Sequence, residues 1–116
     1  MPNLKIAYSP KVEQYFFTNR ELVEIAKTDF TDVAAIVLSS GDVGEYLGRI
    51  QATKFGVPVF VVQTEEQQVD PKFYDSIYHI QDLNGYDIKL YSRQIETAAK
   101  LYEEKMLPPF FKMLSE

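Results

Sequence analysis

The run Val33-Ala34-Ala35-Ile36-Val37-Leu38 decides the fold of this chain. It is apolar at every position and is followed at once by the turn-forming residues Ser39-Ser40-Gly41. A strand with no polar alternation is typical of a parallel sheet that is covered on both faces. The run therefore predicts the central strand of such a sheet.

Further apolar runs on either side predict the neighbouring strands. Leu4–Tyr8 lies before the central run, and Pro58–Val62 and Ile77–Ile80 lie after it. Residues 20–26 are ambiguous, because Leu, Val and Ile in this segment suit a strand, whereas Arg, Glu and Ala favour a helix. If the segment is a strand, only residues 27–32 remain for a crossover that normally takes a dozen or more residues.

Helical patterns separate these strands. Ser9 and Pro10 are suited to start a brief helix over about residues 11–17. Asp42, with Glu45 three residues later, predicts a capping box for a second helix that stops at Gly56. Asp70-Pro71 predicts a short helix through Tyr74. From about Ser92 a final helix carries one apolar face, formed by Ile95, Ala98, Ala99, Tyr102 and Met106.

Strands that alternate with helices at this spacing predict an α/β domain. The arrangement is like a small flavodoxin or response-regulator domain, a doubly wound parallel sheet with strand order 2-1-3-4-5 and helices on both faces. Ligands in such sheets bind beyond the carboxyl ends of the strands, at the switch point between strands one and three.

The switch-point crevice is predicted to be bordered by Ser9, Ser39, Ser40 and Gly41. It lacks the acceptor aspartate, acidic pair and lysine of a receiver domain, and the segment after strand one has no glycine to let the backbone approach a phosphate. We therefore interpret the crevice as vestigial, with no catalytic, cofactor-binding or metal-binding residue in the chain. The single histidine, His79, falls within a strand pattern and has no visible orienting partner.

The composition of the chain argues against several classes of function. The chain has 116 residues and a net charge of −5 at pH 7, which argues against a nucleic-acid-binding surface. It has no cysteine, and hence no disulfide and no thiolate chemistry. No apolar run approaches the roughly 20 residues of a membrane span, and no signal peptide is visible. We expect a cytoplasmic protein.

The segment 108–116 carries apolar groups just where the chain stops. Pro108 disfavours helix geometry at Leu107, so the preceding helix is predicted to end or kink there. The candidate linker and interface residues are Pro108, Pro109, Phe110, Phe111 and Met113. We expect a domain at 1–107 and, at 108–116, the start of a linker to a further domain.

Three stretches resemble the N-terminal wing domain of bacterial inducible ornithine decarboxylases, within the ornithine/lysine/arginine decarboxylase family. They are Asp29–Val37, Ala52–Phe60 and Ile95–Lys112, and the last contains the junction Leu-Pro-Pro-Phe-Phe. The resemblance covers essentially the whole chain.

This resemblance implies a flavodoxin-like assembly domain of a larger homo-oligomeric enzyme. The parent enzyme would use pyridoxal phosphate to convert ornithine to putrescine, and the catalytic residues would lie outside this chain. Nucleotide effectors bind near wing interfaces in some members, but no motif here supports such a site. The alternatives from the residues themselves are a stand-alone, degenerate receiver-like or small-ligand-binding module, and a flavin or nucleotide binder.

Overall fold

A computed structural model of the chain describes residues 4–51, 56–63, 74–79 and 85–115. The strands are β1 (Lys5–Tyr8), β2 (Leu22–Glu24), β3 (Val33–Ser39), β4 (Val59–Gln63) and β5 (Ser76–His79). The α-helices are α1 (Val43–Gln51) and α2 (Gly85–Ser115), and short 3-10 helices span Pro10–Tyr15, Ile25–Lys27 and Ser40–Asp42.

The strands form a parallel sheet with β3 at its centre. All seven residues of β3 are buried, and the strand pairs with β1 on one side and β4 on the other. Strands β1 to β4 lie in the order β2-β1-β3-β4, and β5 pairs in parallel with β4. The prediction of a mixed α/β domain built on a parallel sheet is confirmed.

The ambiguous segment 20–26 is part strand and part helix. Leu22–Glu24 pairs with β1, and Ile25–Lys27 then turns as a 3-10 helix. The crossover to β3 is therefore compressed into residues 25–32. Within it Phe30 is buried and has a φ of 69°, in the left-handed region that disfavours bulky side chains. The short connection therefore contains one residue, Phe30, in a strained backbone conformation.

The first two helices match their predictions in place but not in every detail. The helix after Ser9 is a 3-10 helix that ends at Tyr15, and it buries Val12. Helix α1 is described as far as Gln51, and Gly56 beyond it has a φ of 66°, a conformation that glycine adopts without a steric penalty. Most of the short helix predicted at 70–74 lies outside the described residues.

Helix α2 is longer than predicted at both ends. It begins at Gly85 rather than near Ser92. Within this additional stretch Tyr91 is fully buried, and its ring centroid lies 6.1 Å from that of Phe60. The helix also continues through Pro108 to Ser115, so of the two predicted alternatives, an end or a kink at Leu107, the end is wrong. Pro108 and Pro109 each lack a backbone hydrogen-bond donor, and the helix passes through both.

The core surrounds β3 and includes one face of α2. Its α2 members are Tyr91, Ile95, Ala99 and Tyr102. No helix in the described part of the chain is both long enough and apolar enough to cross a membrane.

Candidate functional site

The carboxyl ends of β1 and β3 lie side by side, as predicted for the switch-point crevice. Ser9 and Ser39 are both fully buried, and the Ser9 backbone N–H donates to the Val37 carbonyl at 3.0 Å. The Ser9 hydroxyl accepts a hydrogen bond from the Ser39 backbone N–H at 3.3 Å. This side chain therefore joins the two strands and does not cap the 3-10 helix that follows it.

Further polar contacts within the chain lie next to these strand ends. The Ser39 hydroxyl donates to Asp42 Oδ2 at 2.8 Å, and Lys11 Nζ lies 3.8 Å from Asp42 Oδ1. Of the other two predicted crevice residues, Ser40 is buried and Gly41 is exposed. The Asp42 carboxylate is also negatively charged, and it would repel a phosphate that approached the ends of β1 and β3.

A second polar cluster, which the sequence did not predict, is centred on Arg20. Its side chain is only 6% exposed, although it belongs to the loop before β2. The guanidinium Nε donates to both carboxylate oxygens of Glu96, at 3.0 and 3.1 Å, and one Nη donates to Oε2 of Glu96 at 2.8 Å. The other Nη donates to the Leu4 carbonyl at 2.9 Å and to the carboxylate of Glu103. We call Arg20, Glu96 and Glu103 the arginine clamp.

The clamp holds a permanent positive charge out of water. Burial alone lowers the pKa of Arg20, but the hydrogen bonds that it donates to Glu96 and Glu103, together with the negative charges of these carboxylates, outweigh burial and raise the pKa overall. An arginine in this setting stays protonated at every pH at which the protein is folded. Its fork of donors satisfies two carboxylates at once, which a lysine cannot do with the same geometry.

The same loop is fastened to α2 at a second point. The Phe17 backbone N–H donates to the Ser92 hydroxyl at 2.8 Å, and that hydroxyl donates to the Ile88 carbonyl at 2.8 Å. Ser92 and Glu96 are four residues apart and therefore share one face of the helix. Residues 17–20 thus lie along α2 and connect the edge of the sheet to it.

Sequence reasoning missed the clamp because its members are far apart in the chain. Arg20 and Glu96 are separated by 76 positions. The available signal was that Glu96 and Glu103 are seven residues apart, two turns along one side of α2. Two acidic residues spaced in this way usually form a solvated face, so the pattern alone does not indicate a buried partner.

Several predicted site residues cannot be placed by their side chains. The backbone of Pro108, Pro109, Phe110, Phe111 and Met113 lies in α2, but their side chains are outside the described part of the structure. The same holds for the side chain of His79 in β5. Within the described residues, no group of three His, Asp or Glu side chains is placed to hold a metal ion.

Comparison with known proteins places these features in a family. A family model described as Orn/Lys/Arg decarboxylase, N-terminal domain, matches residues 4–102. The chain belongs to this family. Its resemblance to the N-terminal domain of ornithine decarboxylases is confirmed. The matched range of this decarboxylase N-terminal domain includes the switch-point crevice and the Arg20–Glu96 contact.

Individual relatives are similar over the full length of the chain. Ornithine decarboxylase of Haemophilus influenzae is 94% identical over 116 residues, which are 100% of this chain and 16% of the relative. The inducible ornithine decarboxylases of Lactobacillus sp. strain 30a and Escherichia coli K12 are 42% and 40% identical, each over 98% of this chain and 16% of the relative. The decarboxylase N-terminal domain described here therefore spans about a sixth of the length of these relatives.

Proposed function

We propose that this chain is the N-terminal assembly domain of an ornithine decarboxylase and contributes a surface for homo-oligomerisation. In this proposal residues 1–107 form a flavodoxin-like wing, doubly wound with helices on both faces, and residues 108–116 begin the linker to a catalytic domain. The parent enzyme is cytoplasmic and removes the α-carboxylate of ornithine as CO₂ to give putrescine. The 94% identity to a named ornithine decarboxylase supports this assignment.

One structural observation carries the assembly role: the crevice where this type of sheet binds ligands is filled by the chain's own contacts. The Ser9 and Ser39 hydroxyls and the Asp42 carboxylate bond to each other or to neighbouring backbone. A domain that kept a ligand at this position would need those groups for the ligand. These contacts instead join β1 to β3 within the sheet.

The described residues do not fit a site for pyridoxal phosphate. That cofactor supplies an electron sink for decarboxylation and is held through a lysine. Among the lysines whose side chains the structure describes, Lys5 is half-buried and pairs with Asp32 at 3.1 Å. The others are exposed on helices, namely Lys11, Lys27, Lys89, Lys100 and Lys105. We therefore place the cofactor, and every step of the reaction, in the parent's catalytic domain.

The activity part of the proposal is tested with the 116-residue chain itself. Incubated with ornithine and pyridoxal phosphate, it should release no CO₂ above a protein-free blank. The parent enzyme measured in parallel is the positive control. Turnover by the short chain would overturn the proposal that its catalytic residues lie elsewhere.

The assembly part is tested on the parent enzyme. Deleting residues 1–107 should reduce the number of subunits per particle, calculated from the mass measured by light scattering. The remaining polypeptide should still bind the cofactor. An unchanged subunit number would contradict a role in assembly. Deleting only residues 108–116 from the short chain should leave its melting temperature nearly unchanged, since the described core ends at Tyr102.

A further inference from the structure

The arginine clamp lies at the end of the sheet opposite the switch-point crevice. Its guanidinium donates to the Leu4 carbonyl at 2.9 Å, and Leu4 immediately precedes β1. The crevice is formed instead at the carboxyl ends of β1 and β3. One side chain thus joins three segments of the domain, namely the loop before β2, the entry to β1 and helix α2.

The clamp holds α2 at two points. Glu96 and Glu103 are seven residues apart, which is about 10.5 Å along the helix and nearly two full turns. Both carboxylates therefore lie on one side of α2 and bind the same guanidinium. Sliding the helix by one residue, about 1.5 Å, would stretch the Glu96 contacts, now 2.8 to 3.1 Å long, unless the glutamates also changed rotamer. The clamp therefore fixes both the position of α2 along its axis and its rotation.

Apolar packing alone does not fix a helix in this way. The buried face of α2 packs on the core through Tyr91, Ile95, Ala99 and Tyr102. Burial of apolar surface has no preferred direction, and packed helices shift against one another by about 1–2 Å in conformational changes. Hydrogen bonds from a planar guanidinium, in contrast, are directional. We therefore expect the direction of α2 against the sheet to depend on the clamp.

The chemistry of the clamp points to orientation rather than to stability. Replacing a complete buried ion pair by apolar side chains of similar volume often leaves stability unchanged or raises it, whereas removing one partner is costly. The side chain of Arg20 is 6% exposed and that of Glu103 is 17% exposed, so this contact is largely out of water. Apolar side chains at these positions would lack the directional geometry of the guanidinium.

Helix α2 continues well beyond the clamp. Glu104 and Lys105 are exposed, and the helix backbone extends to Ser115. The twelve residues after Glu103 span about 18 Å at about 1.5 Å per residue. A change of about 10° in the direction of α2 at the clamp would therefore displace its far end by about 3 Å. Closely packed interfaces do not accommodate a shift of that size.

We propose that Arg20 is a positioning residue for assembly: the arginine clamp fixes the direction in which α2 leaves the domain, and hence the placement of the polypeptide that follows residue 116 in the full-length decarboxylase. This inference rests on the proposed function, in which the assembly surface belongs to residues 1–107 and the linker begins at residue 108. Helix α2 then carries the connection between the assembly surface and the catalytic domain. Loosening the clamp in a folded domain misplaces the two relative to each other and weakens the oligomer.

The test compares three variants of the full-length enzyme. The apolar variant combines Arg20→Met, Glu96→Leu and Glu103→Leu, and it should keep the melting temperature of the domain because no charge of the clamp is left buried. Glu103→Gln is milder, since Arg20 keeps its three hydrogen bonds to Glu96. The matched control is Glu104→Gln, which makes the same chemical change at the next, exposed position.

The direction of α2 is measured as the distance between spin labels on unnatural amino acids at Gln14 and Ser115. Gln14 is exposed in the first 3-10 helix, and labelled subunits are diluted with unlabelled ones so that each distance lies within one subunit. In the apolar variant we expect the mean distance to shift, or its distribution to broaden, by about 3 Å. We also expect the particle to dissociate at an enzyme concentration about tenfold higher. Glu103→Gln should change both quantities by less, and Glu104→Gln should change neither.

An unchanged distance in the apolar variant, at an unchanged melting temperature, overturns the proposal. A shifted distance in an enzyme that dissociates at the same concentration as the unsubstituted one also overturns it. If the apolar variant does not fold, Glu103→Gln decides by the same two measurements, and a result equal to that of Glu104→Gln overturns the proposal. The assembly role is judged separately, because a subunit number that survives deletion of residues 1–107 sinks the proposed function, whereas an unchanged distance sinks the clamp proposal alone.

Discussion

The guanidinium of Arg20 donates three hydrogen bonds to the carboxylate of Glu96, between residues 76 positions apart in the chain. This contact connects the loop before an edge strand to the longest helix of the molecule. The Arg20 side chain is 6% exposed and therefore depends on its carboxylate partners in place of water, whereas the Glu96 side chain is 36% exposed. Breaking one half of such a pair leaves a charge in poor surroundings.

Arg20→Met should therefore destabilise the domain by about 3 kcal/mol, because it leaves Glu96 and Glu103 without their shared counter-charge. Urea unfolding followed by circular dichroism measures the change. The matched control is Arg93→Met on the exposed side of the same helix, which should change stability by about 0.5 kcal/mol or less. Equal effects of the two substitutions would show that the clamp contributes nothing to stability.

The backbone conformation of Phe30 predicts that glycine is tolerated better than alanine at this position, the reverse of the usual order of stability. Because its φ is 69°, Phe30→Gly should be more stable than Phe30→Ala by about 1 kcal/mol, although both lose the buried ring. Ala26→Gly, in the neighbouring exposed 3-10 helix, is the control and should lower stability by about 0.5–1 kcal/mol. Thermal unfolding of all three variants decides the matter, and alanine matching or exceeding glycine at position 30 would contradict it.

The closed crevice predicts the effect of removing one hydroxyl. Ser9→Ala should lower the free energy of unfolding by about 1–3 kcal/mol, since the buried Ser39 N–H loses its acceptor. Gln14→Ala, exposed in the adjacent 3-10 helix, serves as the control. Chemical denaturation of both variants tests this, and a neutral Ser9→Ala would mean that another group satisfies the Ser39 donor.

Alkaline pH should weaken the fold in part through Tyr102. Burial raises the pKa of this phenol, so the folded protein keeps the proton at a pH where the unfolded chain, with a tyrosine pKa of about 10, has lost it. Its contribution is complete below about pH 10 and disappears as pH rises through the folded pKa. The Tyr102→Phe variant should therefore lose less stability than the unsubstituted 116-residue chain between about pH 9 and 11. The free energy of unfolding of both proteins is measured as a function of pH. The same decline with pH in both would refute this prediction.

Local sequence was sufficient for the central strand and for the helix that follows it. A run as apolar as Val33–Leu38 fits few environments other than the middle of a parallel sheet. Ser9 and Ser39 were predicted to border one crevice, because they follow neighbouring parallel strands. Their roles were not predictable, since the pattern does not show whether a hydroxyl bonds to a ligand or to the next strand.

The sequence by itself determined that the chain is a mixed α/β domain on a parallel sheet and that it belongs to this decarboxylase family, because both depend on residues close together in the chain or on a pattern repeated along one element. Only the tertiary structure decided that Leu22–Glu24 is a strand, that α2 begins at Gly85, and that Arg20 is buried against Glu96 and Glu103. These outcomes depend on contacts between distant segments. Local preference is weak enough for such contacts to override it.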